Sequence, residues 1–189
     1  MASGNSERKQ HKAISNVNVR RANSTDVDAI AKVHVGTWRT AYKEILSADF
    51  LSNLSIDRSR ATLERFLLDQ KTHALYVAED GSKHIVGFVS CGPNRDNDPT
   101  YAGEVYAMYV LQEMQRQGIG RQLIRSAVTD LRSRGFNSMI VWVLADNPSR
   151  QFYKKLGGEQ VQKRKITLGG SQFEEYGYGW KDLNLIPST

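Results

Sequence analysis

The sequence predicts an α/β (α+β) domain with a mixed, mostly antiparallel central sheet and helices on both of its faces. Three observations lead there. Amphipathic helical spacing occupies the chain from Val27 to Leu68. Three short β-rich runs follow, Ala74 to Ala78, Ile85 to Cys91 and Glu104 to Val110, separated by turn-forming residues in the manner of a meander. The remainder alternates helix and strand and ends on two strands joined by Gly169-Gly170.

Val17 and Val19 alternate with polar residues, which predicts a first strand reaching Arg21. Ser24, Thr25 and Asp26 are residue types whose side chains satisfy the free amides of a helix start. The helix they open carries Val27, Ile30, Ala31, Val33, His34 and Trp38 near one face and runs toward Tyr42. Shorter helices are expected at Ser47 to Leu54 and Ile56 to Leu68, the second with Leu63, Phe66 and Leu67 inward. The period then drops to that of strands, broken by Glu79-Asp80-Gly81 and by the loop from Pro93 to Pro99. From Gly118 to Arg134 one stripe holds Ile119, Leu123, Ile124, Ala127, Val128 and Leu131, and Gly135 supplies the left-handed residue that ends such a helix. Met139 to Leu144 reads as a buried strand, Pro148 to Leu156 as a short helix, and Glu159 to Leu168 and Gln172 to Trp180 as the closing strands.

At 189 residues the chain is the size of one domain, assigned to residues 16–184, with polar tails over 1–15 and 185–189. A hydrophobic fraction of 40% supports a core that buries roughly 70% of the unfolded surface at this size, which rules out wholesale disorder. No run nears the roughly 20 apolar residues of a membrane span, and the N-terminus lacks the apolar stretch of a signal peptide, so a cytoplasmic protein off the membrane is expected. The lone Cys91 excludes an intrachain disulfide and a cysteine-rich zinc site, and the four histidines show no ligand spacing, so no metal is expected. Lys and Arg number 26 against 20 Asp and Glu, a formal +6 spread along the chain rather than gathered in a patch. That distribution suits a phosphate-bearing small molecule at least as well as nucleic acid, and no nucleic acid partner is expected.

The most informative stretch runs strand, polar connection, glycine pair, helix: Val105 to Val110, Leu111 to Gln117, then Gly118-Ile119-Gly120-Arg121. Glycines let several main-chain amides approach one pyrophosphate, and the helix start adds roughly 0.3 to 1 kcal/mol per anionic charge. Arg116 and Arg121 flank the turn. A dinucleotide-binding fold needs a third glycine where Leu123 stands, and a Walker loop needs glycine, lysine and a hydroxyl residue in fixed order; the stretch has neither.

Gln115-Arg116-Gln117-Gly118-Ile119-Gly120 resembles the signature of the GNAT superfamily of N-acetyltransferases: Gln or Arg, two residues, Gly, one residue, Gly or Ala. The strand Glu104 to Val110 and the segment Asn147 to Gly157 stand around it in family order, so the resemblance spans most of the chain. It implies the family's sheet architecture and acetyl-CoA as cosubstrate. It further implies that Met108, Tyr109 and Val110 offer main-chain groups to the pantetheine arm and that Arg116, Gln117, Gly118, Ile119, Gly120 and Arg121 hold the pyrophosphate. Asn147 would contact the arm or help separate the two central strands, and Tyr153 would lie near the sulfur and protonate or hydrogen-bond the departing thiolate. The residues alone also allow plainer roles: Met108 and Val110 as core, Arg121 as solvated surface, Tyr153 as helix packing.

Acetyl transfer needs a neutral amine, and deprotonating a lysine-like group of pKa near 10.4 costs roughly 4 to 5 kcal/mol at pH 7. A carboxylate beside the acceptor can take that proton. Glu104 is the candidate base, at the spacing of a catalytic glutamate in some histone acetyltransferase relatives; its other reading is a salt bridge with an arginine. Unbroken alternation puts Glu104, Tyr106, Met108 and Val110 on one face, with Glu104 about 20 Å from Val110, so a splay or bulge is needed to close the gap. An amide near Val110 would donate to the thioester carbonyl if the strand bulges there. Cys91 has no His or Asp beside it in sequence and reads as a structural thiol.

Trp38 and Tyr42 come from the helical region that borders the acceptor cleft in the family, although aromatic residues four apart are more often core. Asp96 and Asp98 are placed either to meet a cationic amine or only to keep their loop soluble. The expected protein is an acetyl-CoA dependent N-acetyltransferase that transfers directly to a primary amine, a small amine or amino-acid derivative. The alternatives are a protein lysine or N-terminal acetyltransferase and a non-catalytic acyl-CoA-binding regulator. A monomer or homodimer is expected.

Overall fold

The computed structural model describes residues 17–186; the tail expected over 1–15 lies outside the described residues, as do residues 187–189. The chain opens with β1 (Asn18–Arg21), a 3-10 turn (Ser24–Asp26), α1 (Val27–Ala41), α2 (Ala48–Ser52) and α3 (Ile56–Leu68). The meander β2 (Ala74–Glu79), β3 (Ile85–Pro93) and β4 (Gly103–Val110) follows. Then come α4 (Ile119–Ser133), β5 (Met139–Leu144), α5 (Arg150–Lys155) and the hairpin of β6 (Glu159–Leu168) and β7 (Ser171–Trp180). One seven-stranded sheet results, in the order β1-β2-β3-β4-β5-β7-β6, antiparallel at every pairing except β4 with β5.

Local chemistry sets the boundaries. The Asn23 side chain accepts from Thr25 N at 2.9 Å while Asp26 accepts from Asn23 N at 2.9 Å, a reciprocal capping box one residue before the serine that opens the turn. Arg20 then bonds both Asp26 and Glu79, at 2.7 and 2.6 Å, tying the helix start to β1 and β2. Ser47 and Ser55 cap α2 and α3.

Each face of the sheet is covered. On one, Ile119, Leu123, Ile124, Ala127 and Leu131 of α4 pack over Val89, Val105, Met139 and Val141. On the other, Ile30, Ala31 and Val33 of α1 with Leu63 of α3 cover Leu75, Val77 and Phe88. Side chains of this size stabilise by about 1.5–3 kcal/mol each when fully buried. A third cluster, including Tyr42, Leu46, Leu51 and Leu144, joins the end of α1 and α2 to the β6-β7 hairpin. Ile186 belongs to the first core, so the packed chain extends past residue 184.

β4 is irregular on both sides. Toward β3, Ser90 pairs with Ala107 and Cys91 with Val105, leaving Tyr106 as an extra residue, a β-bulge. The extra residue inverts the alternation beyond it, so Val105, Met108 and Val110 pack with the α4 side while Ala107 and Tyr109 pack with the α1 side. Glu104 therefore does not share a face with Met108 and Val110, as unbroken alternation required. Toward β5, pairing covers only Gly103 with Met139, Glu104 with Ile140 and Val105 with Val141, and beyond these the two parallel strands separate.

Candidate active site

Where β4 and β5 part, a cleft of about 670 Å³ opens, bounded by the end of α1, both strands, the turn before α4, and α5. Tyr106 to Val110 line it from one side and Val141 to Val143 from the other. β3 holds one edge of this part of β4 and the opposite edge is unpaired. Unpaired strand amides and carbonyls require partners, and an extended ligand segment lying alongside supplies them. Gln115 Nε2 donates to Val110 O at 3.0 Å and Leu111 N to Val86 O at 2.9 Å, which fixes how the strand leaves the sheet.

The turn before α4 is built from left-handed residues, Arg116 at φ 62° and Gly118 at φ 82°. Gly118 has open space around it, so glycine is needed there for the backbone angle alone. At Gly120 the reason is contact: a Cβ would come within 3.3 Å of Phe152 Cζ, close enough that the ring would have to shift by a few tenths of an ångström. No side chain caps α4, which leaves the amides of its first turn open. Arg116, Gly118, Ile119, Gly120 and Arg121 all line the cleft, and Gln117 does not, its Nε2 donating instead to Glu113 O at 3.2 Å. Among the described residues the charged groups lining the cleft are all cationic: Lys43, Arg116, Arg121 and Lys155. An uncapped helix start, a cationic rim and an unpaired strand edge together suit a long ligand bearing phosphates.

Tyr153 reaches the cleft from α5, 5% exposed and stacked on Tyr178 with ring centroids 6.3 Å apart. Burial, and the neighbouring Tyr42, raise its pKa, so its phenol stays protonated and remains a donor. Asn147 Oδ1 accepts from Ser149 N at 2.9 Å, shaping the turn into α5, while its side chain also interacts with the phenol of Tyr42. Tyr42 lines the cleft and interacts with Tyr109 as well. Trp38 does not line it. Its ring packs 4.8 Å from Tyr42 and 6.3 Å from Phe50, because helical spacing of four sets it behind Tyr42 in the third cluster.

Glu104, the expected base, stands outside the cleft lining. It is 1% exposed, and its carboxylate accepts from Arg95 N at 3.0 Å, from Arg95 Nε at 3.1 Å and from the terminal guanidinium nitrogen of the same residue. Arg95 folds back over the Tyr106 ring, 4.9 Å from its centroid, to reach it. Asp96 and Asp98 are structural ties rather than free acids: Asp96 accepts from Arg164 at 2.9 Å, and Asp98 accepts from Gln162 and from the amides of Thr100 and Tyr101. Arg164 continues to Glu175 at 2.9 Å and lies over Trp142, 4.0 Å from the ring centroid. Cys91 is buried against Ala127 O, and desolvation pushes its thiol up to about 12, which suits packing and not nucleophilic chemistry.

Two lining residues have no motif to announce them. Thr37 in α1 and Trp142 in β5 border the cleft, and Thr37 Oγ1 and Trp142 Nε1 are buried without a hydrogen-bond partner. In sequence, Thr37 is one more residue inside an amphipathic helix and Trp142 one more apolar position in a buried strand. Among the described residues no cluster of side chains suits a metal ion, and no helix is long and apolar enough to cross a membrane.

A splayed parallel pair over a glycine turn and an uncapped helix defines a coenzyme-binding acyltransferase fold. Residues 39–158 match the acetyltransferase (GNAT) family, and the chain belongs to that family. It is 39% identical to YuaI, an uncharacterized N-acetyltransferase of Bacillus subtilis, over 90% of this chain and 96% of the relative. It is 29% identical to a probable N-acetyltransferase of Mycobacterium tuberculosis, over 75% and 79% respectively. The fold matches the PaiA N-acetyltransferase of Thermoplasma acidophilum in complex with coenzyme A, with a TM-score of 0.68 at 17% identity, over 85% of this chain and 98% of that one. It also matches a Salmonella typhimurium acetyltransferase solved with acetyl-CoA, with a TM-score of 0.67 at 21% identity, over 89% and 95%.

Proposed function

We propose that this protein is an acetyl-CoA dependent N-acetyltransferase that transfers directly to a primary amine, the acceptor being a small amine or amino-acid derivative. The observation that carries this reading is the unpaired edge of β4 running into an uncapped, cation-flanked start of α4. The coenzyme-bound relatives of the same fold support it.

Acetyl-CoA supplies the activated acetyl group. The main chain of Met108, Tyr109 and Val110 holds the extended arm along the open edge of β4. Arg116, Arg121 and the amides between them hold the phosphates through charge and the field of the helix start. Asn147 keeps the turn into α5 in shape, which places the Tyr153 phenol in the cleft. A thiolate leaving group has a solution pKa of about 8.5, and a phenol that stays protonated at pH 7 can donate a hydrogen bond that stabilises its charge as it departs. Glu104 is assigned to holding the Arg95 loop, since its carboxylate lies outside the cleft lining and accepts three bonds from Arg95.

Titration calorimetry with coenzyme A tests the binding half of this proposal, and release of free thiol from acetyl-CoA in the presence of amines tests the chemical half. Heat and a raised melting temperature are expected with coenzyme A, and their absence removes the proposal. Tyr153→Phe should lower kcat by roughly 10²-fold, the usual worth of a positioned general acid, with coenzyme A affinity unchanged. An undiminished kcat would take the proton-donor role from Tyr153.

A further inference from the structure

Resting on the transferase reading above, we infer that the acceptor is a primary amine of lowered basicity with an amide carbonyl oxygen beside it, as at the N-terminal end of a peptide or in an amino-acid amide. An alkyl amine carrying a second positive charge is the opposite case, and the cleft is built against it.

Charge is the first reason. Among the described residues no Asp or Glu lines the cleft, whereas Lys43, Arg116, Arg121 and Lys155 do. Three acids outside the lining are engaged by arginines: Glu104 by Arg95, and Asp96 and Glu175 by Arg164. With Arg116 and Arg121 taken up by the coenzyme phosphates, Lys155 and Lys43, the latter paired with Glu44 at 3.6 Å, remain, and no carboxylate of the lining attracts a dication.

Proton removal is the second reason. With no carboxylate at hand to take the proton, the amine has to reach the cleft already neutral. At pH 7 an α-amino group with pKa near 7.7 is neutral in roughly one molecule in six, and a lysine-like amine in about one in 2,500. The difference, roughly 400-fold, bears directly on kcat/KM when no base compensates for it.

The third reason is independent of charge. Thr37 Oγ1 and Trp142 Nε1 are buried, belong to residues lining the cleft, and have no partner in the protein. Trp142 lies on the face of β5 opposite Val141 and Val143, away from α4 and under Arg164. An indole N–H can only donate, so it calls for an acceptor atom, and a buried donor left unmade is costly. An oxygen next to the reacting nitrogen supplies that atom; a bare alkyl chain does not.

The test uses the full chain at saturating acetyl-CoA and pH 7. The probes are alaninamide and a short alanine-initiated peptide against putrescine and Nα-acetyl-lysinamide. At least one of the first two should exceed both of the others in kcat/KM by about 10²-fold, with a rate that climbs with pH through the amine's own pKa and then levels. Activity on alaninamide alone marks a small-molecule acceptor and activity on the peptide marks a protein N-terminus; either supports the inference. Thr37→Val and Trp142→Phe should each raise KM for the preferred amine roughly 10-fold with coenzyme A affinity unmoved. Putrescine or the lysinamide matching the α-amines overturns the inference, as does an unchanged KM in both variants. Coenzyme A binding without turnover of any of the four amines is a different result: it removes the transferase reading, and this inference with it.

Discussion

Within β4, Gly103 to Val105 and Tyr106 to Val110 are neighbours with opposite roles. The first three residues have a partner strand on each side and are buried, with Glu104 and Val105 each 1% exposed. Of the next five, Ala107 to Val110 keep β3, none pairs with β5, and four of the five are only partly buried. Residue types differ between the two parts, Gly-Glu-Val against Tyr-Ala-Met-Tyr-Val, but the second part is the one richer in apolar and aromatic residues that favour a paired, buried strand, so composition does not account for its open edge. The difference lies in what is withdrawn. One part of the strand contributes to the core by being fully paired, and the other becomes a binding surface because half of its hydrogen-bonding capacity is left to a ligand.

That contrast can be broken from either end. The largest effect is expected in the paired part. Ile140→Ala, at a 1% exposed position opposite Glu104, should cost about 2–5 kcal/mol in urea unfolding and leave coenzyme A affinity unchanged. A parallel loss of affinity would show that the two parts of the strand are coupled.

Beside the open part, His34 sharpens the contrast through pH. Its ring packs 5.4 Å from that of Tyr109, its Nδ1 lies 2.8 Å from Ser59 Oγ, and burial holds its pKa down to about 4. The unfolded chain takes up that proton near pH 6.5, so stability should be level above that pH and fall as pH drops from about 6.5 toward 4, by on the order of 2–3 kcal/mol. Chemical unfolding of the protein and of His34→Gln across this window should show a slope that the variant lacks. A slope of equal size in both would move the effect to other groups.

The smallest effect belongs to the turn. Gly118→Ala imposes a side chain at φ 82° and should cost about 1–2 kcal/mol, read as weaker coenzyme A binding or a lower melting temperature. If neither changes, the left-handed angle is not required for the turn.

Much of this was legible in the residues. The stripe from Ile119 to Leu131 does face the sheet, and Gly135, at φ 86°, follows the helix it was expected to end. The glycine pair does open a helix beside the cleft, but for two different reasons, backbone angle at Gly118 and packing on Phe152 at Gly120, which spacing cannot distinguish. Glu104 was harder. Its spacing suggested a base, yet its surroundings depend on Arg95 returning across the strand and on a bulge at Tyr106 that shifts every later side chain to the other face. Trp38 and Tyr42 sit one helical turn apart, and only the packing of α2 and the β6-β7 hairpin decides that Tyr42 lines the cleft while Trp38 supports it.

Periodicity of 3.6 and of 2, cap residues and left-handed glycines are properties of a few adjacent residues, so the sequence by itself determined the helices, the strands and the glycine turn before α4. The parting of β4 from β5, the paired acids and the meeting of Thr37 and Trp142 in the lining of one cleft join segments far apart in the chain. Only their packing in three dimensions could decide these, because hydrogen-bond loss at a strand edge and pairing of buried charge depend on which distant neighbour arrives.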